Sequence, residues 1–479
     1  MSWKGVMQTF KRRTTPKSRI EQDPHLGSLT QFPDVTEDFQ NKQIVIGLDF
    51  GTAFTKVILG DERIRYAVPL RGQPNGIDSY LLPCTFWVGQ DDACSLAAKN
   101  GRQVTEIKMR MLDGDRGRLL QQEMCAYLSL VLRRSRAFFF AEYENVYKKN
   151  YIHWLINVGL PTSSYHDENL VSFYKKVIRA AWLVSIQKSP VTMSLCEELL
   201  EGKPSKIQKR EHLYEDAISP FPEFVAQITG YVRSPLRNND LHFLVDVGAG
   251  TVDATVFNVY QVDGEDRFPI FAKTVQPLGT HYLVKNRLKT TNENSASEFD
   301  IFADVPNIKD FSRLTKIDIP GLKRIDKFFK KSLLDELRNI LDYTKSKRYP
   351  LSRAWTNGIP LFLCGGGSNC DFYIDSIINE NHLNSYNLLS KDLPKPENLK
   401  ADKVGNTYYN RLSVAYGLSF DPFDIGEIIK EDEIENIEKN EIETTELKQK
   451  SFNCPRCKGT GGMHVYCDKC GGSGYIISS

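Results

Sequence analysis

With 479 residues the chain is too long for one hydrophobic core, so two or more domains are expected. Its composition is that of an ordinary globular protein, 41% hydrophobic and 25% charged, and 62 Lys and Arg against 60 Asp and Glu leave a formal charge of +2. That balance gives no ground for a nucleic acid or membrane partner, and no apolar run reaches the roughly 18 residues of a membrane span. The basic N-terminus lacks the apolar centre of a secretory signal, and Cys84, Cys94, Cys125, Cys196, Cys364 and Cys370 show no framework spacing. A cytoplasmic protein with reduced thiols is expected.

Residues 1–41 are polar and aperiodic and read as an arm. Two β-branched runs, 44–48 and 57–59, flank a glycine turn and predict a strand pair. Helical periodicity follows over 119–143 and 168–183, with a buried-type strand at 153–160 between them. Residues 243–247 and 252–259 repeat the strand–turn–strand unit about 200 residues after the first, which suggests a duplicated two-lobe architecture. The stretch 284–320 is polar and poorly periodic and reads as a reduced insertion or loop. An amphipathic helix at 326–345 and a strand at 360–364 come next, and 409–420 closes the globular part. In 421–450 acidic residues outnumber Lys by seven, the signature of a partly helical linker.

Three glycine turns carry the chemistry. The first is Gly47-Leu48-Asp49-Phe50-Gly51-Thr52-Ala53, in which backbone N–H groups and a hydroxyl can face phosphate oxygens. Asp49 at the strand end is placed to hold Mg²⁺ through water. The second, Asp246-Val247-Gly248-Ala249-Gly250-Thr251-Val252-Asp253, repeats that logic with two glycines and a second Asp. The third, Cys364-Gly365-Gly366-Gly367-Ser368-Asn369, follows a strand and leaves room for a base and ribose, with a helix start expected to face the α-phosphate. Read singly, each turn is also what an ordinary hairpin or flexible loop requires.

In this order and spacing the turns resemble the phosphate-1, phosphate-2 and adenosine motifs of the actin, sugar-kinase and heat-shock-chaperone ATPase superfamily, over about residues 43–420. The nucleotide-binding domain of the heat shock protein 70 family is the nearest resemblance, supported by Leu82-Pro83-Cys84-Thr85-Phe86, Ala97-Ala98-Lys99-Asn100, Leu278-Gly279-Thr280-His281 and Arg411-Leu412-Ser413-Val414-Ala415-Tyr416-Gly417. The resemblance implies an α/β fold of two duplicated ribonuclease-H-like lobes. Lobe I would take 42–240, lobe II 241–400 and a return segment 401–420. It further implies that Asp49 and Asp246 orient hydrated Mg²⁺ with Asp253 nearby. Thr52 and Thr251 would bind phosphate oxygens of ATP, and Gly51, Ala53, Gly248, Gly250, Gly279, Gly366, Gly367 and Ser368 would shape the nucleotide bed. Lys108 is the match for a lysine near the γ-phosphate. The family's Glu-Pro connecting motif is matched by Phe221-Pro222-Glu223, which puts Phe221 in the acidic position unless a local shift brings in Glu223. ATP binding is thus expected more firmly than hydrolysis.

The tail 451–479 holds two CxxC knuckles nine residues apart, Cys454/Cys457 and Cys467/Cys470, which supply four thiolates for tetrahedral Zn²⁺. The CxxCxGxG repeat resembles the zinc region of J-protein cochaperones, in two copies and without their His-Pro-Asp signature. About sixty residues follow Phe420, so the peptide-binding β-sandwich of the chaperone family is not expected. The leading expectation is a chaperone-like ATP-binding regulator whose nucleotide state changes its hold on a protein partner through the zinc module or the lobes. An actin-like filament former and a nucleotide-binding pseudo-ATPase are the alternatives.

Overall fold

The computed structural model describes residues 40–429 except 72–75, 99, 148–149, 162–166, 204–212, 215, 263–264, 290–303 and 380, together with 433–434, 451–453 and 475–477. Within it the first glycine turn joins β1 (Gln40–Phe50) to β2 (Phe54–Gly60), and β3 (Arg65–Ala67) extends the antiparallel meander. Helices α1 (Ile107–Leu112) and α2 (Arg118–Tyr147) lead to β4 (Asn150–Leu160), which lies parallel to β1. Helix α3 (Glu168–Ser185) then crosses to β5 (Ile218–Pro222), parallel to β4. The strand order is β3-β2-β1-β4-β5. Helices α2 and α3 carry much of the apolar core of this lobe through Tyr127, Leu130, Tyr174 and Trp182.

The short helix α4 (Met193–Leu200) follows α3, and α5 (Glu223–Val232) leads from β5 toward the second lobe. There β6 (Asp240–Val247), β7 (Val252–Val262) and β8 (Glu265–Gln276) form the same antiparallel meander. Helices α6 (Thr280–Leu288), α7 (Ile308–Thr315) and α8 (Ile319–Tyr343) precede β9 (Ile359–Cys364), parallel to β6, and β10 (Leu388–Ser390), parallel to β9. The order β8-β7-β6-β9-β10 matches that of the first lobe strand for strand and in direction. This is a mixed α/β architecture built as the two-lobed duplication expected from the sequence.

The last part of the chain ties both lobes. β11 (Leu399–Lys400) adds to the edge of the first sheet beside β3, and α9 (Ser413–Leu418) packs on β1. Residues 421–429 then cross to the second lobe, where β12 (Glu427–Ile429) pairs with β8, and the Ile434 carbonyl accepts from Arg348. Two expectations are corrected. The start of the 421–450 linker is a strand of a sheet, because Ile428 finds an apolar seat in the core shared by the lobes. The 284–320 insertion holds the end of α6, all of α7 and the start of α8, anchored by Phe311 and Leu322 against Val284 and Leu288.

The lobes meet through α5 and α9. Phe224 and Tyr231 of α5 lie against Phe257 and Phe362 of the second sheet, with ring centroids 5.5 and 4.7 Å apart. α9 approaches α5 and β1 so closely that backbone touches backbone: a Cβ at Gly417 would lie 1.9 Å from the Ala226 carbonyl oxygen, and one at Gly47 would lie 2.3 Å from that of Ala415. No rotamer relieves a clash with a carbonyl, so Gly417→Ala is expected to lower stability by on the order of 2 kcal/mol. Gly405→Ala, with nothing within 4 Å of the new methyl, should leave the melting temperature unchanged. Thermal melts of the two variants make the comparison, and equal melting temperatures would contradict the packing argument.

Candidate functional site

The repeated meanders bring their glycine turns face to face across a cleft of about 540 Å³, a volume within the roughly 300–1,000 Å³ usual for small-molecule sites. In the first lobe the Gly51 N–H donates to the Phe54 carbonyl at 3.2 Å, and in the second the Gly248 N–H donates to the Thr251 carbonyl at 2.8 Å. Each turn thereby closes tightly and sets an aspartate, Asp49 or Asp246, at the end of the preceding strand. The turns also touch: a Cβ on Gly250 would come 3.7 Å from Thr52 Cγ2.

The start of α6 clamps the second turn from behind. The N–H groups of Gly279, Thr280 and His281 donate to the carbonyls of Gly250, Gly248 and Ala249 at 3.2, 3.1 and 2.9 Å. Gly279 is therefore a brace, and a Cβ there would fall 2.5 Å from the Ala249 oxygen. The third turn begins with Gly365 at φ +82°, where a Cβ would meet Asp246 Oδ1 at 2.3 Å, so only glycine fits. Ser368 turns inward, donating to the Gly365 carbonyl at 2.9 Å and accepting from Asn410 Nδ2 at 2.8 Å. The helix expected after this turn has only four α-helical residues, Asp371–Ile374, before the coil widens. Its N-cap, Cys370, and the preceding Asn369 line the cleft.

Asp49, Gly51, Thr52, Ala53, Lys108, Asp246, Gly248, Thr251, Asp253, Gly366 and Gly367 all line the cleft. Gly250, Gly279 and Ser368 stand behind its wall. The four tail cysteines, Cys454, Cys457, Cys467 and Cys470, lie outside the described residues. Glu223, not Phe221, is the acidic group of the connecting motif: Phe221 packs among apolar side chains while Glu223, first residue of α5, enters the cleft. Gly159 on β4 makes the space, since a Cβ there would sit 2.8 Å from Glu223 Cγ.

Four carboxylates share this floor. Asp49 accepts from Lys56 Nζ at 2.8 Å, and Glu223 accepts from Lys108 Nζ at 2.7 Å. Burial works to lower the Lys108 pKa, but the charges of Glu223, Tyr174 and Asp49 hold it above the ordinary lysine value. Burial pushes the Asp246 carboxyl up to about 6, helped by Glu223 and Asp49 and opposed by the Gln227 amide, which donates to it at 2.5 Å. Asp253 is raised well above the carboxylate range by burial, then by Glu223 and Asp246, and its buried Oδ1 has no hydrogen-bond partner. An unsatisfied acceptor among crowded acids fits a hydrated divalent cation, which would neutralise the cluster. Among the described residues no group of three or more His, Cys, Asp or Glu side chains is arranged to hold a metal ion directly. Contact through the cation's waters is what the donor set fits. Lys56, Gln227, Asn410 and Arg411 were not read as site residues from the sequence, though Arg411 opens a motif-like segment; each reaches the cleft through its place in the fold.

No family model matches the chain, and no curated protein matches it. Among solved structures it is similar to MreB 5 of Spiroplasma citri bound to AMPPNP, with 13% identity over 78% of this chain and 95% of that one, at a TM-score of 0.40. Likeness at that level does not bear on function, and the reading rests on the cleft itself. Among the described residues no helix is long and apolar enough to cross a membrane.

Because the folded Asp246 pKa lies above its ordinary value of 3.8, the folded chain binds that proton more tightly than the unfolded chain. The cost of its charge is absent below about pH 4, grows from there to about pH 6 and is full above it. Without divalent cation, Asp246→Asn should therefore stabilise the protein at pH 7.5 by on the order of 2 kcal/mol, and the gain should vanish near pH 4. Melting curves at both pH values test this; a gain of the same size at each would rule it out.

Proposed function

We propose that the chain binds Mg²⁺–ATP in this cleft and hydrolyses it slowly, and that closure of the lobes on nucleotide changes its hold on a protein partner. The observation that carries this reading is the meeting of two like strand–turn–strand units, each with an aspartate at the strand end, beside a third glycine turn. The backbone N–H groups of Thr52, Ala53, Ala249 and Gly250 and the hydroxyls of Thr52 and Thr251 suit phosphate oxygens, while the N–H groups of Gly51 and Gly248 close the turns. Asp49, Asp246 and Asp253 would hold the hydrated Mg²⁺, which supplies charge neutralisation when bound. Glu223 sits where it can orient a water, and Lys108 holds that carboxylate in place while adding positive charge beside the distal phosphate. On the resemblance read from the sequence, the two lobes would be ribonuclease-H-like, as in the chaperone ATPases.

The tail is proposed as the partner contact, folded around Zn²⁺ on Cys454, Cys457, Cys467 and Cys470. In support, Ser451–Asn453 and Tyr475–Ile477 pair as antiparallel strands, which brings both ends of the cysteine segment together. A closed loop of that kind is what two CxxC knuckles need to share one ion.

Single-turnover assays test the chemistry. Glu223→Gln is expected to slow ATP hydrolysis by about 10²- to 10⁴-fold while ATP affinity stays within a few-fold of wild type. A wild-type protein that fails to bind ATP with Mg²⁺ would end the reading. Sedimentation with and without ATP addresses the mode of action: pelleting only with ATP would replace partner regulation with an actin-like filament, and an unchanged sedimentation profile is expected.

A further inference from the structure

Resting on the nucleotide reading, we propose that Arg411 is the anion anchor of the cleft and grips a phosphate group of the bound nucleotide through its guanidinium. Arg411 ends the 3₁₀ turn Asn406–Arg411 in the return segment. Its side chain reaches the cleft between the first and third glycine turns. The guanidinium carbon stands 5.7 Å from the centre of the Phe54 ring, just past the first turn. On the other side it would lie 3.5 Å from a Cβ built on Gly366. Arg411 thus spans the mouth between the two lobes' nucleotide loops.

Its state of satisfaction separates it from the other cations there. Lys56 is bonded to Asp49 and Lys108 to Glu223. Arg411, among the described residues, makes no hydrogen bond and no ion pair; its one close partner is the face of Phe54. Asp304, Asp78, Asp246 and Asp49 act on it only through longer-range attraction. A guanidinium has five N–H donors in a planar fork and cannot shed its charge; Arg411 is only partly buried, and none of its nitrogens is a buried atom without a partner, so its donors open onto the cleft. With Phe54 covering one face, the donor edge is what remains for a ligand. That fork matches the paired oxygens of a phosphate. An acidic side chain of this protein close enough to pair would have consumed the same donors, and none is present among the described residues.

The test is isothermal titration of full-length wild type, Arg411→Lys and Arg411→Ala with Mg²⁺–ATP, Mg²⁺–ADP and adenosine. Arg411→Ala is expected to weaken ATP and ADP by roughly 10- to 100-fold, leaving adenosine within twofold of wild type. Retained adenosine binding also shows that the variant is folded. Arg411→Lys, which keeps the charge and loses the fork, should fall between the two. If ATP affinity of the alanine variant stays within twofold of wild type, the assignment is overturned. Equal loss for adenosine and ATP also overturns it, since that is the mark of a guanidinium stacked on the base. A wild type that binds adenosine-free phosphate chains no better than buffer ions, tested with inorganic triphosphate, counts against the anchor. A wild type deaf to ATP itself defeats the nucleotide reading beneath it.

Discussion

Four carboxylates are forced together where the two sheets end, and the surrounding structure is organised around that crowding. Asp49, Glu223, Asp246 and Asp253 come from β1, α5, β6 and β7, so no single element could be moved without dispersing them. Burial and the neighbouring acids disfavour the charged forms of Asp246 and Asp253. Lys56, Lys108 and the Gln227 amide offset part of that cost with direct contacts. What they leave unmatched is a negative pocket with one unsatisfied oxygen, and this residual charge gives the site its appetite for a cation.

The lobes repeat one topology, yet their turns are not electrostatic copies. In the first lobe Asp49 lies across the ladder from Lys56; in the second, the equivalent pair is Asp246 and Asp253. One aspartate therefore has its counter-ion on the neighbouring strand, while the other faces a second acid. The first turn is neutral in the free protein and the second is charged or protonated according to pH.

The fold was legible in the sequence where structure is local. The glycine turns, the β-branched runs flanking them and the periodicity of α2, α3 and α8 all appeared in place, because turn geometry and amphipathic period are written in adjacent residues. The site was legible to the same depth: the turn residues were found and their tertiary partners were not. Glu223 was masked by Phe221 because the motif register counted residues, whereas the bend between β5 and α5 decides which side chain enters the cleft. Gly279 and Ser368 look like ligand contacts in a motif, but their neighbours in space are the turns they brace. β8 went unread because its polar positions interrupt the apolar alternation, and β12 because two isoleucines were outweighed by the acids around them. Arg411 stands in a segment that resembles a connecting motif, and only its missing partners in three dimensions mark it out.

The return segment has a consequence for how the protein is made. β11 completes the first sheet beside β3, and the glycine-lined seat of 415–419 on β1 and β2 stays empty until those residues leave the ribosome. About 180 residues separate Pro222 from Leu399, which at roughly 5–20 residues per second is about 10–35 s of synthesis. During that interval the first lobe exists as an unfinished sheet with the β3 edge uncovered, while the second lobe emerges behind it. The first sheet is thus the last to be completed, and the cleft between the lobes takes its final form only once that closing segment has been made.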